Sequence, residues 1–203
     1  MKIICIGRNY REHIKELSSP VPTTPVFFLK PDTSLLIRNR PFFLPGFSKE
    51  IHYEVELVLK ICKVGKNIQK KFAHTYFDEI GIGLDFTARD LQNISKQQGL
   101  PWLISKGFDN AAPVGKFLPK MQFPTPGDIN FHLDLNGTTV QQANSKDMIF
   151  SFDDIISYIS DFITLKTGDM IFTGTPSGVG PVKQGDRLEA FIENERLLKC
   201  DVK

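Results

Sequence analysis

Features that mark several large classes of protein are missing or scarce in this sequence of 203 residues. Its three cysteines, Cys5, Cys62 and Cys200, are far apart and include no Cys-x-x-Cys pair. This spacing argues against a disulfide framework or a zinc site, and we expect buried thiols. No apolar run is long enough to cross a bilayer. The net charge of +2 is too small to favour binding of nucleic acid or of an anionic membrane surface.

Signals for export and for phosphate binding are also missing. Residues 1–7 combine one lysine with a short apolar run, but they lack the full apolar region and the cleavage site of a signal peptide. We therefore interpret them as a first strand and expect a cytoplasmic protein. The glycine-rich segment 174–180 lacks the Gly-Lys-Ser/Thr sequence of a P-loop. Its backbone N–H groups could instead hold a carboxylate.

The order of turns and apolar runs predicts a mainly β protein with a few helices, of mixed α+β class. Asn136-Gly137, a preferred two-residue hairpin turn, divides residues 129–142, and Glu193-Asn194 divides residues 187–202 in a similar way. Strands do not alternate regularly with helices, which argues against a doubly wound parallel sheet. No linker or repeat divides the chain, so we expect one domain over residues 1–203. Other strands are predicted at 3–6, 25–29, 34–37, 51–61, 80–86 and 170–173, and helices at 11–17, 88–98 and 153–165.

The most informative strand is 51–61, which carries two carboxylates on one face. Side chains alternate along a strand, so the apolar residues share one face while His52, Glu54 and Glu56 share the other. Two carboxylates at this spacing are roughly 7 Å apart at Cα and can converge on one hard cation such as Mg²⁺ or Mn²⁺. The alternative is an amphipathic strand with a wet face, since most Glu residues are exposed.

A third carboxylate, Asp85, ends the apolar run 80–86 just before a predicted helix. A carboxylate in such a place needs a partner, and a role as third metal ligand would supply one. The alternative is a helix N-cap or turn aspartate. In the following helix Arg89 and Gln92 are three residues apart and share a face, from which they could hold a substrate carboxylate or remain solvated.

Two further groups of polar residues could take part in chemistry. His13 and Glu16 are spaced i, i+3 in a short helix, so the carboxylate could orient the imidazole as a general base. The alternative is an exposed helical ion pair. Lys30 and Lys106 each follow an apolar run, so either could be a buried cation that faces an anionic intermediate, or the polar end of a strand or loop.

Taken in order, the motifs resemble those of the fumarylacetoacetate hydrolase family, in its short single-domain acylpyruvase and oxaloacetate decarboxylase branch. The motifs are GRNYREH, FFLKP, HYEVELVL, GLDFTARDLQ, GLPWLISKGFD, the Asn-Gly hairpin and GDMIFTGTPSGVGPV. The resemblance extends along nearly the whole chain. It implies a mixed β-sandwich roll, assembled as a homodimer.

Carried over to matching positions, the resemblance also implies the roles of individual residues. Glu54, Glu56 and Asp85 would bind one Mg²⁺ or Mn²⁺ ion, and Lys106 would face a developing enolate. A water-activating pair would consist of His13 and Glu16, on an active-site lid formed by residues 8–20. The implied substrate-binding residues are Arg8, Lys30, Arg89, Gln92 and Thr175.

The implied activity is a metal-dependent hydrolase that cleaves the C–C bond of an acylpyruvate-type 2,4-dioxo acid through a pyruvate enolate. The cation would act as a Lewis acid toward the 2-oxo acid. Decarboxylation or tautomerisation of oxaloacetate, or isomerisation of 2-hydroxyhepta-2,4-diene-1,7-dioate, is the alternative on the same scaffold. A non-catalytic metal-binding module is a further alternative, against which the presence of every matched polar residue argues.

Overall fold

The computed structural model describes residues 1–18 and 20–203, so Ser19, within the predicted lid, lies outside the described residues. The described chain is mainly strands with five helices, which confirms the predicted fold class. The helices are α1 Arg11–Glu16, α2 Lys70–Ala73, α3 Arg89–Gln98, α4 Leu103–Lys106 and α5 Phe152–Phe162. The strands are β1 Ile3–Gly7, β2 Val26–Lys30, β3 Leu35–Leu36, β4 Ile51–Tyr53, β5 Val55–Ile61, β6 Phe77–Leu84, β7 Thr87–Ala88, β8 Ala112–Pro113, β9 Leu118–Pro119, β10 Asn130–Leu135, β11 Thr138–Asn144, β12 Met170–Phe172, β13 Gly180–Pro181, β14 Arg187–Ile192 and β15 Glu195–Asp201.

A mixed sheet of six strands, in the order β2-β1-β12-β5-β6-β9, forms one layer of the fold. Only the β1–β12 pair among its described pairings is parallel, and the others are antiparallel. Strands from distant parts of the chain, β1 and β12, are therefore neighbours within this sheet. This arrangement places the ends of β5, β6 and β12 beside one another.

The second layer is an antiparallel sheet of four strands in the order β11-β10-β14-β15, made from the two predicted hairpins. The first hairpin turns at Asn136-Gly137, where both residues have positive φ of 54° and 80°, as a type I′ turn requires. The main core contains side chains from both sheets, such as Leu57 and Ile82 from the first and Leu133 and Leu188 from the second. The two sheets therefore pack face to face.

The predicted strand 51–61 is in fact two strands that belong to different sheets. β4 pairs with β7 and β13, while β5 lies in the six-stranded sheet, and Glu54 lies at the break. Residues 53–59 are all buried, which rules out the alternative of a wet face for Glu54 and Glu56. Period-two alternation could not show this, because a strand that is covered on both faces buries its polar residues as well.

The three predicted helices begin close to the predicted positions, but α5 ends earlier than expected, and the short helices α2 and α4 were not predicted. It runs from Phe152 to Phe162, and Ile163 is already extended with φ −126° and ψ 135°. Its start is fixed by a capping box between Ser151 and Asp154. Helix α3 ends at Gln98, and the following Gly99 has the left-handed conformation that glycine often adopts at the end of a helix.

The cysteines agree with the expectation only in part. Cys5 and Cys200 are buried, but Cys62 is half-buried. All three are free. In the described part of the chain, no helix has the length and apolar character needed to cross a membrane.

Candidate active site

Three buried carboxylates come together where β5 and β6 begin and end. Glu54 and Glu56 flank the first residue of β5, and Asp85 directly follows β6, whose Gly83 is paired with Glu56. The Asp85 N–H donates to the Glu54 carbonyl at 2.8 Å, which aligns the strand ends. One oxygen from each carboxylate lies within 4.8 Å of the others. The structure thus brings together the three residues proposed as metal ligands, and Asp85 is not an N-cap, because α3 is preceded by Ala88.

Two of the three carboxylates are surrounded by cations. Lys106 Nζ lies 2.7 Å from Glu54 Oε2 and 2.7 Å from Asp85 Oδ2. The Arg89 guanidinium donates to Glu54 Oε1 at 2.5 Å. Burial alone would raise the pKa of Glu54, but the charges of Lys106 and Arg89 outweigh burial and hold that pKa well below its usual value.

Glu56 has the opposite environment. Its Oε2 accepts a hydrogen bond from the Gly174 N–H at 2.7 Å. Burial, followed by the negative charges of Asp85 and Glu54, raises the pKa of Glu56 well above its ordinary value. The buried cluster therefore lacks positive charge on the Glu56 side.

The donor set fits a hard divalent cation. Three carboxylates provide oxygen donors of the kind that Mg²⁺ and Mn²⁺ prefer, and they are close enough to share one ion. A cation there would also supply the positive charge that Glu56 lacks. Glu54, Glu56 and Asp85 are thus the residues that would hold the ion.

Lys30 lies outside the pocket in which a substrate would bind. Its side chain is completely buried behind Asp85, with Nζ 2.7 Å from Asp85 Oδ1. The same ammonium donates to the carbonyls of Phe86 and Ala111, each at 3.2 Å, and to the carbonyl of Lys106. Lys30 is also not among the residues that line the pocket. The predicted substrate contact is therefore corrected: Lys30 holds Asp85 and the Lys106 backbone in place.

The other predicted substrate-binding residues do line the pocket: Arg8, Arg89, Gln92 and Thr175. Arg89 Nη1 donates to Gln92 Oε1 at 2.6 Å, as their spacing on α3 predicts. The same guanidinium reaches Glu54. Arg89 thus links the metal-ligand cluster to Gln92 and leaves the Gln92 amide nitrogen as a donor for a ligand.

The predicted pair on α1 forms as expected from its spacing. His13 Nδ1 lies 2.9 Å from Glu16 Oε2, and the imidazole lines the pocket. Only 6% of the His13 side chain is exposed, compared with 31% of the Glu16 side chain, so the imidazole is shielded from water while the carboxylate is partly exposed. Glu16 Oε1 also accepts the Gly178 N–H at 3.0 Å, which ties α1 to the glycine-rich segment.

That segment holds carboxylates of the protein itself, through Gly174 to Glu56 and Gly178 to Glu16. Gly174 has φ +103°, and a Cβ there would lie 2.7 Å from the Asn9 Cβ. Only glycine therefore fits at this position. Sequence reasoning anticipated backbone N–H donors here but not which carboxylates they would hold.

Sequence analysis missed Gln141, which is buried on β11 of the other sheet. Its side chain accepts the Val55 N–H, between the two glutamates, and donates to the Thr175 hydroxyl, each at 2.9 Å. A glutamine within a hairpin strand gives no sequence signal for such contacts, since they join residues more than 30 positions apart. Phe28, Lys96 and Trp102 also line the pocket and were not predicted.

The fold and the site together define a class: mixed β proteins that have a carboxylate-lined pocket beside buried cations. Within it, the chain belongs to the fumarylacetoacetate hydrolase family. The sequence profile of that family described as Fumarylacetoacetate (FAA) hydrolase C-terminal matches residues 2–203.

Similar proteins have names that point to 2-oxo acid chemistry. Oxaloacetate tautomerase FAHD1, mitochondrial, of Mus musculus is 42% identical over 201 residues, which are 99% of this chain and 91% of that protein. Oxaloacetate decarboxylase, mitochondrial, of Dictyostelium discoideum is 43% identical over 192 residues, which are 94% and 88% of the two chains. The solved structure of fumarylpyruvate hydrolase from Pseudomonas aeruginosa in complex with Mn²⁺ and pyruvate is 35% identical, has a TM-score of 0.94 and matches 100% of this chain and 89% of that one.

These named relatives are enzymes, and two of them act on oxaloacetate. They support the alternative activity implied by the family resemblance, oxaloacetate tautomerisation or decarboxylation, better than the acylpyruvate hydrolysis that was placed first.

Proposed function

We propose that the protein is an enzyme that uses Mg²⁺ or Mn²⁺ to convert oxaloacetate, by enol–keto tautomerisation and decarboxylation. The observation that carries this proposal is the convergence of Glu54, Glu56 and Asp85 beside Lys106 in one pocket. The names of two relatives support oxaloacetate as the substrate.

Both reactions pass through an enolate at the C2 keto group of the substrate. Tautomerisation moves a proton between C3 and the C2 oxygen, and decarboxylation breaks the C3–C4 bond, after which C3 takes up a proton. When bound, the cation supplies Lewis-acid stabilisation of negative charge at the C2 oxygen. Lys106 adds a positive charge, because burial would lower its pKa but Asp85 and Glu54 raise it above the usual value.

We assign proton transfer to the His13–Glu16 pair. The His13 imidazole is buried and is oriented by Glu16, which is in turn held by the Gly178 N–H. An imidazole so oriented can move a proton at C3 in the tautomerisation. Arg89, Gln92 and Thr175 offer donors for a substrate carboxylate.

The test is oxaloacetate turnover by metal-free protein, before and after addition of Mg²⁺ or Mn²⁺, with Glu56→Gln as the first variant. Loss of one of three carboxylates should weaken Mn²⁺ binding, measured by calorimetry, by at least about 10-fold, and turnover at limiting metal should fall with it. Glu79→Gln is the matched control, because Glu79 lies on β6 in a partly exposed pair with Lys60. Full turnover by exhaustively chelated protein would contradict the proposal.

A second candidate is hydrolysis of an acylpyruvate, which a separate observation favours. The oriented His13 could activate water for attack on an acyl carbonyl, and cleavage would then leave the same pyruvate enolate. The structural relative in complex with Mn²⁺ and pyruvate is a fumarylpyruvate hydrolase. Turnover of acetylpyruvate and fumarylpyruvate in the same assay decides between the two candidates, since a decarboxylating tautomerase would turn over oxaloacetate much faster.

A further inference from the structure

Gln141 connects the two sheets at the point where the candidate site is built. Its side chain is 1% exposed and makes three hydrogen bonds, each of 2.9 Å. The Oε1 atom accepts from the Val55 N–H, and the Nε2 atom donates to the Pro176 carbonyl and to Thr175 Oγ1. Gln141 itself does not line the pocket, whereas Thr175 does. Gln141 therefore reaches the pocket only through its contact with Thr175.

The orientation of the Gln141 amide is fixed by two backbone groups whose polarity cannot change. The Val55 N–H can only donate, so it must face the amide oxygen, and the Pro176 carbonyl can only accept, so it must face the amide nitrogen. Exchange of the oxygen and nitrogen would create two repulsive contacts in a buried place. The nitrogen is thus the group that meets Thr175.

This orientation determines what the Thr175 hydroxyl can do. A hydroxyl has one hydrogen and accepts through its oxygen lone pairs. The oxygen of Thr175 accepts from Gln141, so its hydrogen must point elsewhere. Among the residues that the structure describes, none accepts a hydrogen bond from this hydroxyl, and Thr175 lies at the pocket wall.

We infer that Gln141 is a positioning residue that makes the Thr175 hydroxyl a hydrogen-bond donor toward the pocket and thereby selects ligands with a carboxylate there. The inference rests on the proposed function, because that function supplies a 2-oxo acid with its carboxylate. The Val55 contact adds a second effect: the same amide also holds the backbone between Glu54 and Glu56, so one side chain links the carboxylate cluster to the donor.

The test is a double-mutant cycle on pyruvate binding by Mn²⁺-loaded protein, measured by calorimetry at alkaline pH. Thr175→Val removes the hydroxyl and keeps the shape. Gln141→Glu keeps the shape but offers only acceptors when ionised, so the Thr175 hydroxyl must turn and donate away from the pocket. Gln142→Glu is the matched control, because it adds the same charge at the next residue, which is exposed.

We expect Thr175→Val to raise the Kd of pyruvate by about 10- to 100-fold in the wild-type and Gln142→Glu backgrounds, as for a hydrogen bond to a charged group. In the Gln141→Glu background it should raise the Kd by less than about 3-fold, because the hydroxyl no longer points at the ligand. Simple charge repulsion would instead give the same cost of Thr175→Val in every background. That result, or the absence of any cost of Thr175→Val in the wild type, would overturn the inference.

The melting temperature of each variant shows whether it folds. If Gln141→Glu does not fold, Gln141→Met removes the amide without adding charge and replaces it in the cycle, and an undiminished cost of Thr175→Val would again overturn the inference.

A wild type that binds pyruvate but does not convert oxaloacetate contradicts the proposed function alone, and the cycle still decides the role of Gln141. A wild type that does not bind pyruvate contradicts both.

Discussion

Among single residues, the two buried lysines need partners that compensate their charge, which exposed lysines do not. Lys30 and Lys106 each face a carboxylate at 2.7 Å with almost no exposure to water. A buried charge is tolerated only when partners replace its lost hydration. Lys30 meets this condition with Asp85 and three backbone carbonyls. Lys106 meets it with Glu54 and Asp85 and remains in contact with the pocket.

This difference gives a prediction for Lys30→Met. The change leaves the Asp85 carboxylate without Lys30 and removes the donor from three carbonyls, so the free energy of unfolding should fall by about 3–5 kcal/mol. Urea denaturation of the metal-free protein measures it. Lys60→Met is the control, because Lys60 pairs with Glu79 at the partly exposed surface, and its loss should cost no more than about 1 kcal/mol. Equal losses for both variants would show that Lys30 does not hold Asp85.

At this scale, spacing along the sequence predicted the contacts that lie within one element. The pairs His13–Glu16 and Arg89–Gln92 each form at i, i+3, because helical geometry brings such residues together. Contacts across the fold were not predictable in the same way. The partners of Lys30 and Gln141 come from distant parts of the chain, and nothing local to either residue identifies them.

Among the elements, α1 is the one that depends most on its surroundings. It has six residues, Arg11–Glu16, which is too short to be stable alone. It is held by the buried Ile14, by the Glu16 bond to Gly178, and by Asn9 just before it, whose amide donates to the carbonyl of Thr173. We propose that α1 is the part of a lid that carries the proton-transfer group.

His13→Ala tests this element by comparing reactions. Tautomerisation of oxaloacetate and hydrolysis of acetylpyruvate both need a proton acceptor in the pocket, so kcat should fall by at least about 10²-fold for whichever of them the wild type catalyses. Decarboxylation should fall much less, since CO₂ leaves without proton abstraction and Lys106 remains in place. Saturating metal and separate values of kcat and KM keep altered binding from imitating lost chemistry.

Lys106→Ala is the matched comparison and should slow all of these reactions. If His13→Ala slows decarboxylation as strongly as tautomerisation, His13 does not transfer the proton. It would then serve to close the pocket, and KM would change together with kcat.

The longer elements were largely predictable, but the division of 51–61 and the short helices α2 and α4 were not. Both hairpins, α3 and the first strand follow from turn residues and apolar spacing. The break at Glu54 occurs because β4 and β5 pair in different sheets. Pairing partners are a tertiary property, so a run of alternating residues cannot show where the chain leaves one sheet for another.

For the whole molecule, the sheet order explains why the site depends on residues from distant parts of the chain. The parallel pair joins β1 to β12, and β12 leads into the segment that holds Glu56 and Glu16. Such pairings close long loops, and sequence patterns do not encode which strands will be neighbours. The fold class was therefore predictable, whereas the sheet order was not.

Assembly gives a prediction at this scale. We propose a homodimer, as the family resemblance implies, and the described surface exposes large apolar side chains such as Phe43, Leu103 and Ile104. Light scattering coupled to gel filtration at micromolar concentration should give twice the chain mass of 23.0 kDa. A stable monomer under these conditions would contradict the proposal.

The last prediction concerns removal of metal and its dependence on pH. In the metal-free protein the pKa of Glu56 is raised by burial and by Asp85 and Glu54. The folded state therefore holds this proton more tightly than the unfolded state, and the stability gained in this way is lost as pH rises through the raised pKa. A divalent cation requires the ionised form and compensates its charge. We thus expect Mn²⁺ to raise the melting temperature, and to raise it more as pH increases through the Glu56 pKa. Scanning fluorimetry of chelated and Mn²⁺-loaded protein across pH measures this effect.

Glu56→Gln, which cannot ionise, should melt at a temperature that depends less on pH without metal and should gain much less from Mn²⁺. Glu79→Gln should behave as the wild type, because its carboxylate lies outside the pocket. An increase in melting temperature that is the same at every pH and in every variant would place the bound ion elsewhere on the protein.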